Sequence, residues 1–241
     1  MMPAMPVTFP EAMFTEFRQR AATLFPRVQD EEDSLARTQF VRSSQAAGCR
    51  YRTCVECDQE LKTLVANGSE LWREWNDDAE QAYRLERCLY TFFMNGLSVF
   101  ESMAFCLYFV GSMIQPSDFP HVQKSRKITL GSTGEAFCAA FPSESITAHL
   151  IALPQDSEFR KLDTARNLLA HRVSGMRSVR SYSVIHADAG YLSTKDETWY
   201  VPGQDEFRFD AELIHRPLQW VSSTLTTLLG VSRDFVISRK P

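Results

Sequence analysis

The stretch from Cys88 to Ile114 is almost entirely apolar, and it restricts the possible folds more than any other part of the chain. At about 1.5 Å per residue, a helix over this stretch is long enough to cross a bilayer. Glu101 and Asn95 lie near its middle, and a central carboxylate costs about 2.5 to 3.5 kcal/mol on insertion. We therefore expect the central helix of a bundle, covered by neighbouring helices or by a second subunit. A membrane helix is the alternative.

The composition favours one compact domain, and no cofactor is expected. The chain has 241 residues, of which 44% are hydrophobic and 23% are charged, enough to bury a large core. The segment Met1–Pro6 lacks the basic and apolar regions of a signal peptide, so we expect a cytoplasmic protein with reduced cysteines. Cys54 and Cys57 form a C-x-x-C pair near Cys49. A structural zinc site would need a second such pair, so no metal is expected and zinc is the alternative.

Apolar periodicity predicts helices along most of the chain. An N-terminal helix around Phe14 ends near Pro26, and residues 1–55 are predicted to be an accessory arm of a helical bundle domain over 56–241. From about Cys57 a helical pattern continues to Ile114, with a possible break at 67–69. Further helices are expected over about 135–141, 144–153 and 157–174, and from Asp210 to Gly230.

The pattern changes after Gly175. Residues 181–185 and 198–201 are β-branched and aromatic, and residues 206–209 alternate between polar and apolar. We expect a small β-hairpin or meander inserted at about 176–209, before the last helix. The predicted fold class is mainly α, a helical bundle with this small insertion.

The helix predicted over 157–174 carries the most informative residues. On a helical wheel its polar stripe holds Asp163, Asn167 and His171 at four-residue spacing. Arg166 falls at the edge of the apolar side, where a guanidinium needs a partner to be buried. Glu101, the carboxylate inside the long apolar helix, is the predicted partner.

Positive charge is concentrated around this helix. Between residues 160 and 180 there are six Arg or Lys residues and one Asp, a net charge of +5 in a chain whose total is −4. Because the rest of the chain then carries −9, any phosphate site is expected to be local. The candidate RNA or phosphate contacts in this window are Arg160, Arg172, Arg177 and Arg180.

The sequence from Arg166 through Asn167 to His171 resembles the signature of the HEPN (higher eukaryotes and prokaryotes nucleotide-binding) superfamily, an Arg followed after four to six residues by a His. The resemblance covers about residues 60–230. It implies metal-independent RNA cleavage at a site shared by two protomers of a homodimer. In that role His171 is the general base and acid, Arg166 stabilises the phosphorane, and Asn167 orients the phosphate or the histidine.

Two functions follow as hypotheses. The first is a HEPN-like endoribonuclease in phage defence or as a toxin, with Glu101 and Asp163 as supporting residues and a separate antitoxin or regulatory protein as a possible partner. The second is a non-catalytic helical module that binds a nucleotide, an RNA or a partner protein. In the second, Arg166 is structural and His171 is an exposed histidine near a helix C-terminus. Neither hypothesis needs a membrane.

Overall fold

The computed structural model describes residues 7–25, 31–71, 79–120, 123–171, 176–186, 190–200, 207–208 and 212–239. For the strands, His171 and a few residues at helix ends it describes the backbone alone. Seven α-helices account for most of the described chain: α1 (Glu11–Leu24), α2 (Glu31–Leu71), α3 (Ala79–Ile114), α4 (Leu130–Ala140), α5 (Ser145–Ala152), α6 (Ser157–His171) and α7 (Glu212–Ile237). The prediction of a mainly α fold, arranged as a helical bundle, is confirmed.

Backbone pairing joins three strands between α6 and α7. Strand β1 (Met176–His186) pairs antiparallel with β2 (Gly190–Tyr200), with Met176 opposite Tyr200 and His186 opposite Gly190. Strand β3 (Phe207–Arg208) adds to the other edge of β2. This segment therefore follows the helix that carries the Arg166–His171 motif.

The long apolar helix α3 is the centre of the bundle. It packs against α2 along much of its length and also contacts α4, α6 and α7. Residues Tyr83–Ile114 are long and apolar enough to span a membrane, and 72% of the most apolar part is buried by the rest of the chain. The interpretation of this stretch as a core helix is confirmed, because neighbouring helices cover it.

The N-terminal residues belong to the same core. Helix α2 is continuous over Glu31–Leu71 and passes through the predicted boundary between residues 55 and 56. Helix α1 packs on α7, and Phe14 and Phe17 are buried in one cluster with the side chains of α3. The predicted division into an arm at 1–55 and a domain at 56–241 is therefore wrong.

Other helix boundaries also differ from the prediction, and the expected break at 67–69 is helical, since α2 continues to Leu71. Helix α4 begins at Leu130, before the expected start at 135, because Thr129 and Ser132 form a reciprocal capping box. Helix α7 continues past Gly230 to Ile237. Phe235 and Val236 in this extension are buried in the core, and their burial offsets the low helix propensity of the glycine.

An aromatic cluster closes the end of α3. The Phe119 ring lies after the helix and packs back on it, with ring centroids 5.0 Å from Tyr108 and 5.5 Å from Phe137. Gly111 of α3 faces this ring, and a Cβ atom at Gly111 would overlap it. The close approach of Phe119 to the helix backbone therefore requires glycine at this position.

Candidate functional site

Helix α6 is fixed at its start by a side-chain cap and along one face by the core. The Asp156 carboxylate accepts hydrogen bonds from the backbone N–H groups of Glu158 (2.8 Å) and Phe159 (3.3 Å) and so caps the helix. The buried side chains of the helix are Phe159, Leu162, Ala165 and Leu169. They place α6 against α3, with the rings of Phe159 and Phe100 6.4 Å apart.

The Arg166 guanidinium is held by three side chains. Its Nη1 donates to Glu101 Oε1 at 2.6 Å, which confirms the predicted partner. Its Nη2 donates to Asp163 Oδ1 at 2.9 Å and to Asn167 Oδ1 at 3.4 Å. Ser98 Oγ donates to the other oxygen of Glu101 at 3.2 Å. We define Glu101, Asp163, Arg166 and Asn167 as the Arg166 cluster.

The Arg166 cluster lies at the surface, which corrects the expectation of a buried pair. The Arg166 side chain is 19% exposed, and those of Glu101 and Asp163 are 44% and 40% exposed. Glu101 faces outward from α3 although its neighbours Phe100 and Ser102 are buried. Solvent therefore screens the ion pair, and loss of Arg166 leaves no deeply buried carboxylate without a partner.

We expect a weak coupling between Arg166 and Glu101 in a double-mutant cycle. The cycle compares the free energies of unfolding of Arg166→Ala, Glu101→Ala and the double variant, from urea titrations. The expected coupling is about 0.2 to 1 kcal/mol, as for partly exposed pairs. The Glu158–Lys161 pair on the same helix, 2.7 Å apart and more exposed, is the matched control. A coupling above about 3 kcal/mol, typical of buried pairs, would contradict the surface assignment.

The remaining predicted site residues are distributed around the end of α6. His171 is the last residue of α6, and its side chain lies outside the described part of the structure. Arg172 and the side chains of Arg177 and Arg180 also lie outside it, although the backbones of the latter two are in β1. Arg160 Nε donates to Pro154 O at 3.3 Å, so this arginine is held by the segment before α6 and not by the Arg166 cluster.

A second polar cluster was not predicted. The carboxylate of Asp58 is buried between α2 and α7, with its Oδ2 2.8 Å from Lys62 Nζ and 3.1 Å from His215 Nδ1. Lys62 Nζ is also 2.9 Å from His215 Nδ1. A protonated Nδ1 would donate to Asp58, and an unprotonated Nδ1 would accept from Lys62. The four-residue spacing of Asp58 and Lys62 is a recognisable signal, but the pairing with His215 is not.

The cysteines form no metal site within the described residues. No group of three or more His, Cys, Asp or Glu side chains there is arranged to hold a metal ion. Cys54 and Cys57 are buried and Cys49 is exposed. Cys88 Sγ donates to the backbone oxygen of Cys57 at 3.1 Å, and burial raises the pKa of the Cys54 thiol. The zinc alternative therefore gains no support, because these thiols pack as small apolar side chains.

Comparison with known proteins gives no match to a family model, to a curated protein or to a solved structure. A helical bundle by itself does not define a chemistry, since the same architecture carries many functions. The assignment of a function therefore depends on the residues of the site.

Proposed function

We propose that the protein is a metal-independent endoribonuclease that acts at Arg166 and His171. The observation that carries this proposal is the fixed and partly exposed Arg166 guanidinium on the helix that ends at His171. A guanidinium has five N–H groups. Among the described residues, its contacts with Glu101, Asp163 and Asn167 use three of them, which leaves the Nε–H and one Nη1–H for the oxygens of a phosphate.

The proposed reaction needs only groups of the chain and of the RNA. His171 removes the proton of a ribose 2′-OH, and the 2′-oxygen forms a bond to phosphorus while the bond from phosphorus to the 5′-oxygen breaks. A histidine then returns a proton to the leaving 5′-oxygen. Arg166 stabilises the negative charge of the phosphorane, and Asn167 orients the phosphate or the histidine. The products are a 2′,3′-cyclic phosphate and a 5′-hydroxyl.

We also propose a HEPN-like architecture with a β insertion, a homodimer with a composite site, a cytoplasmic location and a role in defence or as a toxin. A separate antitoxin or regulatory protein would control the activity. Arg160, Arg172, Arg177 and Arg180 would contact the RNA backbone, and a positive field of this kind also attracts the strand.

A non-catalytic binding module is the second candidate, and one observation favours it. Arg166 contacts two carboxylates, Glu101 and Asp163, so the three charged groups together are negative by one unit. Such a network can simply fix α6 against α3. In this case the replacement of His171 would leave every measured property of the protein unchanged.

The test of the proposed activity is incubation of the purified protein with single-stranded RNA in the presence of EDTA. We expect fragments that end in 2′,3′-cyclic phosphate, because the 2′-OH is the nucleophile and no metal takes part. The DNA strand of the same sequence is the control and should remain intact, since it lacks the 2′-OH. Intact RNA under these conditions, or cleavage of the DNA strand, would contradict the proposal.

A further inference from the structure

A cavity of about 500 Å³ lies between α2, α3 and the start of α4. Its size falls within the range of about 300 to 1,000 Å³ that is usual for small-molecule sites. Glu101 lines the cavity and also contacts Arg166, so the cavity adjoins the Arg166 cluster. Its α2 wall, however, includes Arg42 and Arg50, which lie outside the part of the chain that resembles the HEPN superfamily.

Two arginines give the α2 wall a positive charge. Arg42 is exposed, and within the described residues it makes no hydrogen bond and no ion pair. Arg50 Nη1 donates to the backbone oxygen of Ser98 at 3.2 Å and to the hydroxyl of Ser102. Because both acceptors are neutral, they fix the guanidinium without cancelling its charge. Such a prearranged arginine loses little freedom when an anion binds.

The acid in the wall does not cancel this charge. Glu101 is the one carboxylate that lines the cavity among the described residues. Its Oε1 accepts from Arg166, and its Oε2 accepts from Ser98 Oγ. The arginines of α2 therefore have no carboxylate of their own in this part of the structure, and an anion with several oxygens can bind to them in its place.

The other walls suit a flat, partly apolar group. Phe105 is half-buried and Ile128 is buried, and both line the cavity beside the amide of Gln39. An aromatic ring can stack on a nucleobase, and an amide can donate to and accept from the edge of a base. We infer that this cavity binds a nucleotide, with the phosphate at Arg42 and Arg50 and the base against Phe105.

The nucleotide can be free or part of an RNA strand, and the binding site does not depend on cleavage. Neither His171 nor a proton transfer takes part in it. Two probes distinguish the sources: 5′-AMP, measured by titration calorimetry, and a 2′-O-methyl RNA oligonucleotide, measured by fluorescence anisotropy. The 2′-O-methyl group blocks attack by the 2′-oxygen, so binding is observed without reaction.

The test compares Arg42→Glu with Arg37→Glu. Arg37 is exposed on the same helix but does not line the cavity, so the control has the same change in net charge. We expect Arg42→Glu to weaken binding about tenfold or more relative to the control. The slope of the logarithm of the RNA association constant against the logarithm of the salt concentration is negative. It should become shallower by about 0.7 for each phosphate that the variant no longer neutralises. Phe105→Leu should weaken binding roughly 5- to 100-fold. Melting temperatures verify that the variants fold.

The two probes distinguish a free nucleotide from an RNA strand. Weaker binding of 5′-AMP by Arg42→Glu supports a site for a free nucleotide, and weaker binding of the oligonucleotide alone supports a site for an RNA strand. Equal affinities of Arg42→Glu and Arg37→Glu for both probes, or no binding of either probe by the wild type, would overturn the inference. A wild-type protein that binds but does not cleave unmodified RNA would contradict the proposed activity and leave this site intact.

Discussion

Replacement of His171 by alanine is expected to lower the rate of RNA cleavage by about 100- to 10,000-fold, the usual contribution of a general acid or base. The variant loses the group that accepts the 2′-OH proton, while Arg166 and its partners on α6 and α3 are unchanged. The measurement is the single-turnover rate with a labelled RNA in EDTA. Binding of the 2′-O-methyl oligonucleotide should change by less than about threefold, because the Arg42 and Arg50 wall is retained.

The matched control for this variant is His149→Ala. His149 is exposed on α5, where its Nδ1 lies 2.9 Å from the backbone oxygen of Ser145 in the same helix. Its replacement removes one imidazole outside the motif, so we expect an unchanged rate. Wild-type cleavage by His171→Ala would exclude this histidine as the base and would favour the non-catalytic module.

Replacement of Phe119 by alanine is expected to lower the free energy of unfolding by about 3 to 5 kcal/mol. The ring is 1% exposed and packs against Tyr108, Phe137 and Phe141. Its loss opens a cavity between α3 and α4, which the surrounding rings can fill only in part. Urea denaturation measures the effect, and Ile237→Ala, at an exposed end of α7, is the control with an expected loss of about 0.5 kcal/mol or less.

The same contact can be tested from the other side. Gly111→Ala places a methyl group against the Phe119 ring, and we expect a loss of about 1 to 3 kcal/mol from overpacking. In the double variant the overlap is absent, so the combined loss should be smaller than the sum of the two single losses. Additive losses would show that the ring and Gly111 do not meet.

Local signals predicted the helices that have clear ends. Helix α3 ends at Ile114, two residues before Pro116, and Asp156 caps α6, so the end of α3 and the start of α6 lie at the predicted positions. Proline cannot continue a helix, and an acidic cap satisfies free backbone N–H groups. These rules act over a few residues and need no information about the fold.

Helix α2 was predicted too short because its buried face is built largely from small side chains. Its buried positions before 58 include Ala36, Phe40, Ser43, Ser44, Ala47, Tyr51, Cys54 and Cys57. Alanine, serine and cysteine allow close approach of α3 but contribute little to a hydrophobic pattern. The length of α2 follows from packing against α3, which the sequence of α2 alone does not contain.

The Arg166 cluster was predictable from two local patterns, the helical wheel of α6 and the apolar stretch at 88–114. The wheel placed Arg166 beside the apolar face, and Glu101, the one acid of the apolar stretch at 88–114, was predicted as its partner. The wheel also suggested that the Arg166–Glu101 pair is buried. This is wrong because a side chain at the edge of a helix face can reach solvent. Arg42 and Arg50 were missed, since their relation to Glu101 depends on how α2 and α3 align.

Neighbouring residues of α3 link the rate of any reaction at Arg166 to the aromatic core. Phe100 packs 5.4 Å from the Trp220 ring, whereas the next residue, Glu101, holds Arg166. At a radius of about 6 Å, a ten-degree rotation of α3 moves the Glu101 carboxylate by about 1 Å, and a displacement of this size can change a rate about 100-fold. Substitutions at Phe100 or Trp220 would therefore change the rate of the proposed cleavage while every residue of the Arg166 cluster is retained.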